Sequence, residues 1–87
     1  MYVIMVYDVG VDRVFKVLKT GRKYLTHVQN SLLEGELTPA QLKRLQHEVK
    51  KIIDEEYDSV IFYLLRSENH LVKERMGVPL KEPGDFL

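Results

Sequence analysis

Two nearly continuous apolar runs stand out along this chain, at residues 2–7 and, after Ser59, in the segment 59–65. Both are rich in β-branched and aromatic residues, and apolar runs of this length predict strands that are covered on both faces. The first run leads directly into Asp8. Because burying an unpaired charge is costly, we expect Asp8 to lie where the strand leaves the core, at its C-terminal end.

Apolar residues with helical spacing follow the first run. The predicted buried stripe, with spacing i, i+3, i+4 and i+7, consists of Val11, Val14, Phe15 and Leu18. Asp12 is the predicted N-cap of this helix. Gly21 weakens the last turn, so we expect the helix to end between Thr20 and Tyr24.

The start of a second helix carries the clearest local signal. Thr38 is suited to cap a helix, Pro39 suits the first helical position, and Gln41 completes a capping box. The apolar residues that follow on one face are Leu42, Leu45, Val49, Ile52 and Ile53. We therefore predict a helix that is capped by Thr38, begins at Pro39 and ends near Asp54.

Residues 26–30 and 32–36 predict two short strands that meet at a tight bend or bulge. The order of elements is then βαββαβ, which predicts an α+β, ferredoxin-like fold with two helices on one face of a four-stranded antiparallel sheet. We divide the chain into a core of residues 1–66 and a C-terminal extension of residues 67–87. In the extension we predict a turn at residues 67–69 and a partly polar strand at residues 70–76. Its apolar end at Phe86 and Leu87 predicts burial against a second subunit.

Composition limits the class of protein. A chain of 87 residues with 45% apolar and 30% charged residues is typical of one folded domain with a small core. The absence of cysteine excludes disulfides, thiolate metal sites and cysteine nucleophiles. No apolar run reaches the ~20 residues that span a membrane, and the N-terminus lacks the features of a signal peptide. We expect a cytoplasmic protein with no membrane partner.

Asp8 is the main candidate for chemistry, with a turn or a helix cap as an equal alternative. Magnesium and manganese prefer hard oxygen ligands, but one carboxylate with water binds them weakly. A twofold axis could bring two copies of Asp8 together. The metal interpretation therefore requires a homodimer.

Basic residues are concentrated in the first predicted helix. Residues 1–33 contain five basic residues and two acids. The basic residues are Arg13, Lys16, Lys19, Arg22 and Lys23. A basic stripe with so few acids suits contacts to the phosphates of a nucleic acid, which give affinity without reading sequence. The alternative is an ordinary solvated helix surface.

Three segments, in this order, carry a resemblance to a known family. They are residues 2–9, which end in Tyr7, Asp8 and Val9, then residues 28–35 and residues 58–63. With these spacings and a helix between each pair, the chain resembles the CRISPR-associated "Cas two" endoribonuclease family from residue 1 to about residue 66. Members of that family are small ferredoxin-like dimers that occur beside the CRISPR integrase.

The resemblance implies an enzymatic role. It implies that Asp8 and Asp8 of the second subunit hold Mg or Mn, and that Tyr7 and Arg13 contribute to activity. The activity implied is metal-dependent endonuclease cleavage, by hydrolysis of phosphodiester bonds, of single-stranded RNA, double-stranded DNA or both. It also implies that a C-terminal strand crosses to the sheet of the other subunit.

The resemblance equally implies a role without catalysis. In that role the dimer is a DNA-binding scaffold that bridges dimers of the CRISPR integrase during spacer acquisition in antiviral defence. His27 replaces an arginine and Leu33 a phenylalanine that many members have, and these differences weaken the expectation of strong nuclease activity. A ferredoxin-like regulatory domain that binds a small molecule is a third alternative, for which the sequence carries no pocket signature.

Overall fold

The computed structural model describes residues 1–74 and Met76. Its elements in chain order are β1 (Tyr2–Asp8), α1 (Val11–Gly21), β2 (Thr26–Gln29), β3 (Leu32–Glu36), α2 (Pro39–Ile52), β4 (Ser59–Leu65) and a 3-10 helix (Glu68–His70). The predicted βαββαβ order and the ferredoxin-like class are confirmed. Among the residues described, no helix is long and apolar enough to cross a membrane.

The four strands form one antiparallel sheet in the order β2-β3-β1-β4. The central strand β1 pairs with β3 on one side and with β4 on the other, from Tyr2 opposite Leu65 to Asp8 opposite Ser59. A turn at residues 30–31 joins β2 and β3, which confirms the predicted tight bend between the two strands. The register between β2 and β3 also shifts between His27 and Gln29, a bulge at Val28 that was not predicted.

The two faces of the sheet are covered differently. On one face, called here the helical face, Val3, Met5 and Leu33 are fully buried in a core shared with both helices. On the other, called here the open face, strand alternation places residues such as Ile61 and Tyr63, whose exposures are 46% and 53%. The two apolar runs were predicted to be covered on both faces, but within one chain only the helical face is fully covered.

The predicted start of α2 is confirmed. Thr38 accepts a hydrogen bond from the Gln41 backbone N–H at 3.1 Å, and the Gln41 side chain accepts one from the Thr38 N–H at 2.9 Å. Leu42, Leu45 and Val49 are buried, as predicted. The helix ends at Ile52, within two residues of the predicted end.

The start of α1 and its buried stripe differ from the prediction. Gly10, not Asp12, is the N-cap residue, and it makes no side-chain cap hydrogen bond. Val11 and Phe15 are 89% and 57% exposed, so their predicted burial is wrong. Leu18 is buried and Val14 packs against the core, as predicted, whereas the burial of Val17 and Gly21 was not predicted. The last turn was predicted correctly, because α1 ends at Gly21.

The segment after β4 folds back towards the sheet. The predicted turn at residues 67–69 overlaps the 3-10 helix, whose N-cap residue is Ser67, and Lys73 forms an ion pair with Glu34 of β3. Residues 71–74 are not a strand, so that part of the predicted strand at residues 70–76 is wrong. The predicted strand exchange and the burial of Phe86 and Leu87 lie outside the described residues.

Candidate metal and nucleic-acid site

Asp8 lies where the sequence predicted, at the C-terminal end of β1, and it is exposed. Strand alternation places its side chain on the open side of the sheet, opposite Ser59 of β4. Within the described residues it makes no ion pair or side-chain hydrogen bond. A carboxylate in this position is available for a ligand.

A second carboxylate, Asp58, lies directly before β4 and has the opposite character. Its side chain is 1% exposed, and its Oδ1 accepts hydrogen bonds from the Gly10 N–H and from Arg13 Nη2, both at 2.9 Å. Its Oδ2 accepts from Arg13 Nε at 2.6 Å and from the Asp54 N–H at 2.8 Å. Four donors therefore satisfy this buried charge.

These contacts set the protonation states of the pair. The hydrogen bonds from Arg13 lower the pKa of Asp58 most, and the Asp54 and Gly10 N–H groups lower that pKa further against the opposing effect of burial. The same hydrogen bond to Asp58 raises the pKa of the Arg13 guanidinium. Both groups therefore stay charged throughout the neutral pH range.

Arg13 does not lie in the predicted basic stripe as a free cation. Its Nε and Nη2 donate to Asp58, and its Nη1 donates to Asp12 at 3.0 Å. Its side chain is only 25% exposed. The structure therefore gives Arg13 a local partner in place of an open position for a phosphate.

Tyr7 and Asp8 are neighbours in sequence but lie on opposite faces of the sheet. Tyr7 is 3% exposed in the core, and its hydroxyl donates to the Asn30 carbonyl at 3.4 Å. Burial raises the pKa of Tyr7. His27 Nε2 lies 2.7 Å from the same carbonyl. Tyr7 and His27 therefore meet at the β2–β3 turn, on the far side of the sheet from Asp8.

The remaining predicted bases lie on or next to α1. Lys23 forms an ion pair with Glu48 of α2, which also accepts a hydrogen bond from the Tyr24 hydroxyl. Lys16, Lys19 and Arg22 are exposed and form no salt bridge with any described residue. These three cations are the part of the predicted stripe that is open to a ligand.

The sequence reasoning missed a second group of bases, on α2. Four of them are exposed without a salt bridge in the described part of the chain: Lys43, Arg44, Lys50 and Lys51. Since α2 packs beside α1 on the same face, the two helices together present one basic outer surface. These bases recur at helical spacing on the side of α2 away from its buried residues, and this pattern could have been recognised in the sequence.

A buried acid on the open face was also missed. Glu34 is 4% exposed, its Oε2 accepts a hydrogen bond from the Tyr2 hydroxyl at 2.6 Å, and its Oε1 pairs with Lys73. Burial first, and then the bond to Glu34, raise the pKa of Tyr2. Alternation along β3 places Glu34 opposite the helical face, but nothing local in the sequence predicts its burial.

The donor set around Asp8 is small. Among the described residues, no group of three or more histidine, aspartate or glutamate side chains is arranged to hold a metal ion. Asp8 is nevertheless a hard oxygen ligand of the kind that Mg and Mn prefer, and it is exposed. Among the described residues, one chain therefore supplies a single carboxylate ligand at this position.

Comparisons with known proteins identify the family. The model of CRISPR associated protein Cas2 matches residues 1–71. The chain is 54% identical over 84 residues to the "CRISPR-associated endoribonuclease Cas2" of Thermotoga maritima, and the match covers 97% of each.

Solved structures agree with this match. A crystal structure of Cas2 superposes with a TM-score of 0.83 at 44% identity, covering 91% of this chain and 88% of that one. Streptococcus pyogenes Cas2 at pH 6.5 gives a TM-score of 0.76 at 37% identity, covering 88% of this chain and 100% of that one. With the ferredoxin-like sheet and Asp8 at the end of its central strand, these matches show that the chain belongs to the CRISPR-associated Cas2 family.

Proposed function

We propose that this chain acts as a homodimeric, Mg- or Mn-dependent endonuclease of CRISPR adaptation that hydrolyses phosphodiester bonds in single-stranded RNA, double-stranded DNA or both. The observation that carries the proposal is Asp8, an exposed carboxylate at the end of the central strand with no salt bridge to any described residue. The printed name of the Thermotoga maritima relative, an endoribonuclease, supports this choice of reaction.

Asp8 of each subunit would hold the ion, with water filling the other positions. A bound divalent ion would supply a more acidic water and would neutralise charge on the phosphate. Asp8 itself contributes a negative ligand at the end of a strand that is paired on both sides up to Val6. Neither Tyr7 nor Arg13 reaches this position as a free group, so we assign them no contact with substrate.

A second copy of the chain would complete the open face. Ile61 and Tyr63 are about half exposed there, and they lie on the same face as Asp8. Strand β4 is at the edge of the sheet and has no outer neighbour among the residues described. A C-terminal strand from the partner could pair with this edge. The homodimer thus accounts for an apolar surface and for a missing metal ligand at once.

The substitution Asp8→Asn tests the proposal. It removes the negative ligand while keeping shape, and we expect cleavage of RNA or DNA with Mn to fall by at least about 100-fold, because a lost charge contact of several kcal/mol corresponds to this factor. Glu55→Gln is the matched control, since Glu55 is an exposed acid in the loop between α2 and β4. Cleavage is measured with Mg, with Mn and with EDTA, and the dimer is followed by analytical ultracentrifugation.

Two outcomes would count against the nuclease. One is cleavage by highly purified Asp8→Asn protein at the rate of the parent. The other is a parent protein that cuts neither substrate with either metal.

The second candidate function is a DNA-binding scaffold that bridges dimers of the CRISPR integrase. The observation in its favour is the basic outer surface of the two helices, where Lys16 and Lys19 are exposed and have no acidic partner in the described part of the chain. Such a surface would hold the backbone of a duplex without reading its sequence.

Salt dependence tests the scaffold. Replacing Lys16 and Lys19 together by glutamine is expected to reduce the slope of log affinity against log salt by about 1.8, since each phosphate contact contributes about 0.9. Asp8→Asn is expected to leave that slope unchanged. If the double variant binds a DNA duplex with the parent's slope, α1 is not the contact surface. Retention of integrase binding by Asp8→Asn protein would show that the two roles are separable.

A further inference from the structure

The buried carboxylate of Asp58 joins two connections that are far apart in sequence. One is the β1–α1 connection, which it contacts at the Gly10 N–H and at Arg13. The other is the α2–β4 connection, which it contacts at the Asp54 N–H. A buried charge with its donors fully used has one favourable arrangement, so these contacts fix both connections relative to each other.

Asp8 is adjacent to this network on two sides, at Ser59 in the neighbouring strand and at Gly10 along the chain. On one side, its strand partner Ser59 follows Asp58 in the chain. On the other side, only Val9 separates Asp8 from Gly10, whose N–H is bound to Asp58. The position of the Asp8 backbone is therefore defined by the sheet and by the hydrogen bond at Gly10.

Arg13 forms a bidentate ion pair with the carboxylate of Asp58. Nε and Nη2 bind the two oxygens of Asp58 at 2.6 and 2.9 Å, which is the bidentate arrangement that makes arginine pairs rigid. A phosphate would have to compete with this pair. Leaving Asp58 buried without its cation would be costly, so exchange of partners is unfavourable.

Gly10 is part of the same arrangement. Its φ of -55° is accessible to any residue, so backbone conformation does not require glycine here. A Cβ at this position would instead lie 2.5 Å from Nη2 of Arg13. An alanine at Gly10 would therefore have to push the guanidinium off Asp58, and glycine keeps the space for the pair.

We propose that Asp58 and Arg13 are positioning residues that hold the β1–α1 connection so that Asp8 keeps the place it needs to act with its copy in the second subunit. The inference rests on the proposed nuclease function. In this proposal Arg13 contributes to cleavage by fixing the position of Asp8, and it does not bind a phosphate of the substrate. Two carboxylates that share one ion must be placed to within about 0.5 Å, and such placement requires supporting residues that are themselves fixed by hydrogen bonds, as Arg13 and Asp58 are.

Three variants test the assignment by different routes: Asp58→Asn removes the charge, Arg13→Lys keeps the charge but loses the fork, and Gly10→Ala displaces the guanidinium. For each we expect kcat of cleavage to fall about 10- to 100-fold, as for a small misplacement of a reacting group. The Mn concentration that gives half-maximal cleavage should rise several-fold. KM for the nucleic acid and its salt dependence should stay near the values of the parent. A purely structural role would lower the fraction of folded protein without changing the Mn requirement.

Lys16→Gln is the contrasting variant. As a predicted phosphate contact, it should reduce the salt slope of duplex binding by about 0.9 and leave the Mn requirement unchanged. The proposal is overturned if Arg13→Lys behaves like Lys16→Gln, or if Asp58→Asn cleaves as the parent does. Gly10→Ala keeps both charged groups, so it decides the question if Asp58→Asn does not fold.

Hydrogen exchange separates failure of this proposal from failure of the nuclease. If the parent does not cut, the proposed function is wrong, and the amides of Gly10 and Asp54, which both donate to Asp58, still report on the two connections. We expect these amides to exchange at least about 10-fold faster in Asp58→Asn than in the parent, while the amides in the centre of α2 are unchanged. Unchanged exchange at Gly10 would overturn the positioning role whether or not the protein cuts.

Discussion

The helical face and the open face of the sheet differ in how far a single chain completes them. On the helical face, Met5 and Leu33 are fully buried among residues of both helices. On the open face, Ile61 and Tyr63 remain about half exposed beside a buried acid, Glu34. One chain thus buries the helical face in a core and leaves apolar side chains of the open face partly exposed.

This difference explains the contrasting positions of two adjacent residues. The Tyr7 side chain lies on the helical face, where its hydroxyl donates to the Asn30 carbonyl, whereas the Asp8 side chain lies on the open face at the end of β1. Strand alternation separates neighbours in this way. A motif of two adjacent residues in a strand therefore contributes one residue to packing and the other to a surface site.

The largest effect is expected from shortening a side chain on the helical face. Met5→Ala should lower the free energy of unfolding by about 2–5 kcal/mol, because a fully buried side chain leaves a cavity. Ile61→Ala on the open face should cost less than about 1 kcal/mol in dilute protein. Urea unfolding at several protein concentrations measures both.

The concentration dependence sharpens the comparison. If the open face forms the proposed dimer, Ile61→Ala loses additional stability only at concentrations where the parent is dimeric. Ile61→Ala as damaging as Met5→Ala at high dilution would mean that the two faces are equally complete within one chain.

Glu34→Gln is expected to have a smaller effect, about 1–2 kcal/mol. The glutamine could still accept from the Tyr2 hydroxyl but would lose the pair with Lys73, and hydrogen bonds to charged groups contribute in this range. Glu36→Gln is the control for an exposed ion pair on the same strand and face, because the Glu36 side chain is 62% exposed, pairs with the Met1 ammonium at 2.6 Å and should change stability by less than about 1 kcal/mol. Equal effects of the two substitutions in thermal unfolding would show that the buried acid does not hold the C-terminal segment.

Features with a local cause could be predicted from the sequence. The capping box of Thr38 and Gln41 uses hydrogen bonds within four residues, and the structure shows it as predicted. The order of elements along the chain follows from periodicity, and the place of Asp8 at the end of β1 follows from the cost of burying a charge. Elements with strong local signals are therefore placed nearly correctly.

The stripe of α1 shows where periodicity is insufficient. Val11, Val14, Phe15 and Leu18 have helical spacing, but so do Val14, Val17, Leu18 and Gly21. The structure selects the second set because α1 approaches the sheet at Gly21, where a Cβ would lie 3.3 Å from the Leu33 side chain. This close approach is a tertiary contact that no local pattern contains.

The pairing of Arg13 with Asp58 could not be predicted for a similar reason, and the predicted role of Arg13 in nucleic-acid binding stays a prediction. On a helical wheel it joins the other bases of α1, and its partner Asp58 is 45 positions away in the sequence. Only the folded chain brings the two together. The predicted contribution of Tyr7 to activity is not tested by the structure, which shows only that its hydroxyl faces away from Asp8.

The smallest expected effect concerns the tyrosines at the two ends of β1, one on each face. The pKa of Tyr2 is raised by burial and by its bond to Glu34, and that of Tyr7 by burial. In the folded protein both keep their protons above pH 10.0, where an unfolded chain releases them, so stability is full below that pH and declines as pH rises beyond it.

Melting temperatures measured between about pH 8 and 11 should therefore fall less for Tyr2→Phe than for the parent, by a few degrees. Tyr7→Phe should give a smaller relief, because Tyr7 has no carboxylate partner to repel its ionised form. If Tyr2→Phe loses as much stability in alkali as the parent, the Glu34 contact on the open face does not hold the proton on Tyr2.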